Sequence, residues 1–171
     1  QLALGALKGA FSAVVGVAKA ATSEFGSLEQ NLGGAEAVFG QFSDAVKQKS
    51  KESAQTMGTS MSQYLAAANK MGSLFQGAGY DVQKSMIMTT KAMQRAADVA
   101  SVMGISQEAA LESVAGMAKG NFTMMDNLGV AMNDTALSAY MLEKGIQGNI
   151  EKMTTGEKVG IAYQMFMDRT G

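Results

Sequence analysis

The chain has 171 residues, 47% of them hydrophobic, with 14 basic residues against 15 acidic ones and a net charge of -1. That is enough apolar material for one ordinary domain with a buried core, and the mixed charges make no single-sign field for gripping nucleic acid or an anionic membrane surface. Cys, His, Pro and Trp are all absent, which removes disulfides, thiolate nucleophiles, imidazole bases and nearly all zinc chemistry, and leaves helices free of the breaks that proline imposes.

Two excesses stand out, 15 Met and 20 Gly. Methionine is flexible and polarizable; its usual use is to fill gaps in helical cores, and a Met-rich surface also repacks against changing partners. The chain opens on Gln1 and stops at Gly171 directly after a helix-like run, so it is expected to be a piece of a longer protein.

Residues 2–22, "LALGALKGAFSAVVGVAKAAT", are apolar enough to suggest a membrane span. Lys8 and Lys19 leave only ten uncharged residues between them, however, and much of the bulk is Ala and Gly. A signal peptide fits badly. Gly5, Gly9 and Gly16 would let helices approach closely, which suits self-association or transient membrane entry. Residues 1–23 are therefore set apart as a Gly/Ala-rich apolar helix, and residues 24–171 as a helical domain that is expected to continue beyond 171.

From Ser23 the chain reads as successive helices. The first covers 24–32; Gly33 and Gly34 are expected to break or bend it, and 35–57 continues with Val38, Phe39, Phe42 and Val46 on one face. The run "KQKSKE" at 47–52 reads as a solvated face. Met57, Met61, Tyr64, Ala68, Met71 and Phe75 alternate steps of four and three, a coiled-coil seam, which "GAG" at 77–79 ends. Asp81 caps the longest candidate, in which Val82, Met86, Thr89, Met93, Ala96, Ala100 and Met103 repeat the pattern with small or flexible residues. Gly104 closes it. Ser106 caps a helix through Lys119 with Leu111, Val114, Ala115 and Ala118 inward. Asn133 caps 134–144, which stops at Gly145, and Thr154 with Glu157 has capping-box spacing before a helix whose Val159, Ala162, Tyr163 and Phe166 share a face. No strand pattern appears. The expected class is all-α, helices joined by short glycine-containing turns, with long coiled-coil-like helices and an oligomeric assembly.

Asp126, Asn127, Asn133 and Asp134 invite a calcium reading. Counted from Asp126, however, the third and twelfth places fall on Leu128 and Leu137, where an EF-hand loop needs oxygen ligands. "GNFTMMDNLG" has too little glycine and no lysine for a phosphate loop. Glu108 and Glu112 stand four apart on one helix face, as surface carboxylates do. No metal, cofactor or catalytic residue is expected, and no enzyme activity.

Five stretches in order carry a resemblance: "FGSLEQNLGGAEAVFG" at 25–40, "AANKMGSLFQGAGYD" at 67–81, "AADVASVMGISQEAALESVAGMAKG" at 96–120, "NLGVAMNDTALSAYMLEKGI" at 127–146 and "MTTGEKVGIAYQMFMDRTG" at 153–171. Together they resemble the core domain of phage tail tape measure proteins. One departure is Asn121, Phe122 and Thr123, where such domains often carry an acidic residue.

The resemblance implies a virion structural protein, a ruler inside the tail tube whose length sets tail length and which leaves ahead of DNA at ejection. Its expected partners are copies of itself as a trimer or hexamer, the tail tube protein, tail tip or baseplate hub proteins and tail assembly chaperones. It would be met in the host cytoplasm during assembly and at the host membrane on infection, with no specific nucleic acid binding. Fully helical, 171 residues would span about 260 Å at about 1.5 Å per residue, one portion of a ruler or an anchoring domain at the tip. Phe122, Met124, Met125 and Leu128, with Met86, Met93 and Met103 on the long helix, are the residues expected to contact a neighbouring helix or tail component. Two rival readings are a membrane-active helical protein that forms a DNA passage through residues 2–22, and a soluble α-helical effector domain.

Overall fold

The computed structural model describes residues 18–171, and the side chains of residues 24–171. The expectations for residues 2–22, packing into an oligomer or entering a membrane, lie outside the described side chains. Among the described residues the protein is all-helical, with seven α-helices and no strand.

Helix α1, Ala18–Phe39, runs straight through Gly33 and Gly34, contrary to the expected break. Two helical glycines cost about 1 kcal/mol each relative to alanine, and the packing of the same helix outweighs that cost. Leu28, Leu32, Ala35 and Phe39 are buried at successive turns. Gly34 lies so close to the next layer that a Cβ there would fall 2.7 Å from the Asn69 side-chain nitrogen. The break comes six residues later, at Gly40, whose φ of +53 belongs to the left-handed region. A single 3-10 turn, Gly40–Phe42, then leads into α2, Ser43–Thr56.

Helix α3, Met61–Gly77, starts on a complete capping box: Ser60 accepts from the Gln63 amide while the Gln63 side chain accepts from Ser60. Met57 falls in the turn before it, outside the seam expected of it. Tyr64, Leu65, Ala68, Met71, Gly72 and Phe75 are all buried, a wide surface in place of one narrow seam, because α3 touches α1, α2, α4 and α5 (both defined below) at once. It runs parallel to α1. Asn69 donates to the Asn31 carbonyl at 3.0 Å and Gln76 to the Val38 carbonyl at 2.8 Å, so the two helices keep step.

Helix α4, Val82–Met103, begins on Asp81, which accepts from the Lys84 amide at 2.7 Å, and stops at Gly104 with φ 68. Its expected seam is half right. Thr89, Met93, Ala96 and Ala100 are buried, but Val82 and Met103 are exposed, and Ser85, Met88 and Ala92 widen the buried stripe to that of a globular helix. Helix α5, Gln107–Lys119, is capped by Ser106 and closed by Gly120, and is buried on all sides from Ser113 to Ala118.

A 3-10 segment, Phe122–Leu128, leads to α6, Asp134–Lys144, bounded by Asn133 and Gly145. After the short turn Ile150–Lys152 comes α7, Thr155–Arg169, whose cap Thr154 accepts from Glu157. Two bonds fix α7 along α4. The Tyr80 hydroxyl donates to the Gly156 carbonyl at 3.0 Å, and Arg95 donates to the Met167 carbonyl at 2.8 Å. Between them Phe75 meets the rings of Tyr80 and Tyr163 edge-on, at 6.5 and 6.1 Å.

The glycines separate into two physical classes. Gly33 is exposed, and a Cβ added there would have nothing within 4 Å, whereas a Cβ at Gly72 would enter the Phe39 ring. Gly33→Ala is expected to raise the unfolding free energy measured in urea by up to about 1 kcal/mol. Gly72→Ala is expected to lower it by about 1–3 kcal/mol through overpacking. Equal effects of the two substitutions would contradict this assignment.

Candidate interaction surface

Phe122, Met125 and Leu128 are spaced three apart, and a 3-10 segment with three residues per turn puts them on one face. That face turns inward: Phe122 is 9% exposed, Met125 0% and Leu128 3%. The segment is tied to α5 by the Asn121 amide, which donates to the Gly116 carbonyl at 2.8 Å, and by Asn127, which donates to the Ser113 hydroxyl at 3.3 Å. Met124 lies over Gly116, where any Cβ would meet its thioether.

The expected contact residues take different places in the folded section. Phe122, Met125, Leu128 and Met93 are core residues of their own chain, Met86 and Met124 are half-buried, and Met103 is exposed. Met–Met and Phe–Met spacings show that residues share a face, and they say nothing about whose surface covers it. Met103 stands beside Val102, which is 88% exposed, at the end of α4. Leu142 on α6 is 84% exposed; its position beside Met141 in "AYMLEK" gives no signal, since two adjacent apolar residues on a helix point in different directions.

The surface feature that the periodicity misses is a groove between α3 and α5. Two adjoining hollows of about 430 and 610 Å³ share Lys70, Glu112 and Ala115. Gln63, Ala67 and Leu74 line one side, while Glu108, Leu111 and Lys119 line the other. Among the described residues no group of three or more acidic, His or Cys side chains could hold a metal ion, and no helix is long and apolar enough to cross a membrane.

Helix α6 is held to α7 by a polar seam above the buried Leu137, Tyr140 and Met141. The Tyr140 hydroxyl donates to Asp168 at 2.6 Å, Lys144 approaches the same carboxylate at 3.1 Å, Arg169 pairs with Glu143 at 2.6 Å, and Lys158 pairs with Asp134 at 3.2 Å. Burial, followed by the Asp168 bond, pushes the Tyr140 hydroxyl up to about 12. The Tyr140 bond, followed by Lys144, holds the Asp168 carboxyl below its ordinary 3.8. A lowered carboxylate pKa stabilises the fold above the unfolded value, and this contribution fades as pH falls through the folded value.

Tyr140→Phe is expected to cost about 1 kcal/mol in urea unfolding at neutral pH. The difference from wild type should narrow as pH falls below 3.8 towards the lowered value at which folded Asp168 takes up its proton. A loss that is the same at both pH values would show that the Tyr140–Asp168 bond is not its source.

Compared with protein-family models, with curated proteins and with solved structures, the chain matches none.

Proposed function

We propose that the chain is a section of a phage tail tape measure protein, a structural ruler in the tail lumen that sets tail length and scaffolds tube assembly. The observation that carries this reading is the order of five motifs between 25 and 171. The all-helical fold supports it without being specific to it. In the assembled tail the section works with copies of itself, as a trimer or hexamer, and with the tube protein, the tip or hub proteins and the assembly chaperones.

A ruler must be drawn out, and the longest helices among the described residues have 22 residues, about 33 Å at 1.5 Å per residue. The compact form is therefore the state of the free section. Its joints are glycines in the left-handed region, among them Gly58, Gly104, Gly120 and Gly145. Glycine returns to helical φ without a steric penalty, and no proline in the chain forbids a continuous helix. Straightening would expose the core, and apolar contact between the helices of neighbouring copies would offset that loss. The seam residues Tyr64, Met71, Met93 and Ala100 then face another chain in place of their own.

The test is made in the full-length protein. Removing whole heptads from this section should shorten assembled tails by about 10 Å per heptad, measured by electron microscopy. Tails of unchanged length would overturn the proposal.

A further inference from the structure

Helix α6 lies at the edge of the fold. It rests chiefly on α7 and on the turn Ile150–Lys152 that follows it, and it buries three side chains, Leu137, Tyr140 and Met141, where α4 buries eight and α5 seven. Charge makes up for the missing apolar contact. Three of the five ion pairs among the described residues join α6 to α7. They clip both ends: Asp134, the first residue of α6, reaches Lys158, while Glu143 and Lys144, its last two, reach Arg169 and Asp168. The two helices therefore run parallel, with partners 24 and 26 residues apart at the two ends.

At the second end the charges form a network. Arg169 grips Glu143 with two bonds, at 2.6 and 3.3 Å, and Asp168 takes both Lys144 and the Tyr140 hydroxyl. The Lys144 and Arg169 cations lie 5.8 and 5.6 Å from the centre of the Tyr140 ring. Isolated exposed pairs add little, but a bidentate arginine within a network is the arrangement in which they count. Gly129, with φ 74, and Gly145, with φ 68, stand on either side of α6, and each lets the chain turn where a side chain would resist.

We propose that α6 is a salt-released flap. Raised ionic strength screens the clips at both ends, and α6 swings off α7 as one unit on Gly129 and Gly145 while α3, α4 and α5 stay in place. Those three helices make no ion pair among the described residues, and buried apolar contact does not weaken with salt as exposed charge pairs do. The opened flap bares Leu137, Tyr140 and Met141 and the side of α7 that they cover. The flap is a property of the free chain and does not rest on the ruler reading; under that reading, Gly145 is the first joint to straighten.

Hydrogen exchange on the 171-residue chain, read amide by amide at about 20 mM and about 1 M sodium chloride, tests this. The α6 amides from Leu137 to Lys144 should exchange about five-fold faster or more at the higher salt, while those of α3 keep their rates. In Glu143→Arg, which sets two cations against each other, the α6 amides should already be fast at low salt, and the acceleration by salt should vanish. Adding Arg169→Glu restores opposite charges and should recover most of the low-salt protection. Both residues are exposed, so the α3 amides should keep wild-type rates in each variant. Exchange from α6 that ignores salt would overturn the proposal. So would an acceleration shared by α3, which marks global unfolding, or a charge exchange that fails to recover protection.

Discussion

The Phe39 ring rests on Gly72, and both are buried. The rest of the helical arrangement depends on that contact. Because Gly72 has no side chain, the last turn of α1 comes down against the middle of α3, and the parallel bonds from Asn69 and Gln76 to α1 carbonyls become possible. With α1 on one side, α3 is free to offer Tyr64, Met71 and Phe75 to the others. Phe75 in turn meets Tyr80 and Tyr163, which brings α7 back across the start of α4. A larger residue at 72 would displace the first layer, and every later contact would inherit the shift, since packed interiors do not deform continuously.

Much of this is legible in the residues. Asp81, Ser106, Asn133 and Thr154 each cap the helix assigned to them, and Gly104 and Gly145 each close one. Those signals are local: a side-chain oxygen and an amide three residues on are set by the chain itself. The expectations fail where distant contacts decide. Gly33 and Gly34 look like a break, but one is harmless and the other is a contact point for Asn69. The four-three seams of α3 and α4 describe a real face and underestimate its width, because a helix surrounded by several neighbours buries more than one stripe.

Distant contacts also decide where the expected contact residues lie in the folded section. Phe122, Met125 and Leu128 stand out as large, apolar and close together, and the same properties make them good core for the neighbouring helix α5. Their burial moves attention to the α3–α5 groove, whose lining residues recur at steps of four and three on both helices but mix charged with small side chains, so no apolar stripe marks them. The Tyr140–Asp168 bond is equally invisible in the sequence: the partners are 28 apart and come together only when α6 lies on α7. For the ruler proposal, the consequence is that lateral contacts between copies come from core faces exposed when the section straightens.

The organising role of α3 can be measured directly by native-state hydrogen exchange, read residue by residue. The amides of α3 from Leu65 to Phe75 should exchange only through global unfolding, with the slowest rates in the chain, while those of α6, buried through three side chains and a surface polar seam, should open earlier. Amides of α3 that exchange as fast as those of α6 would contradict the account.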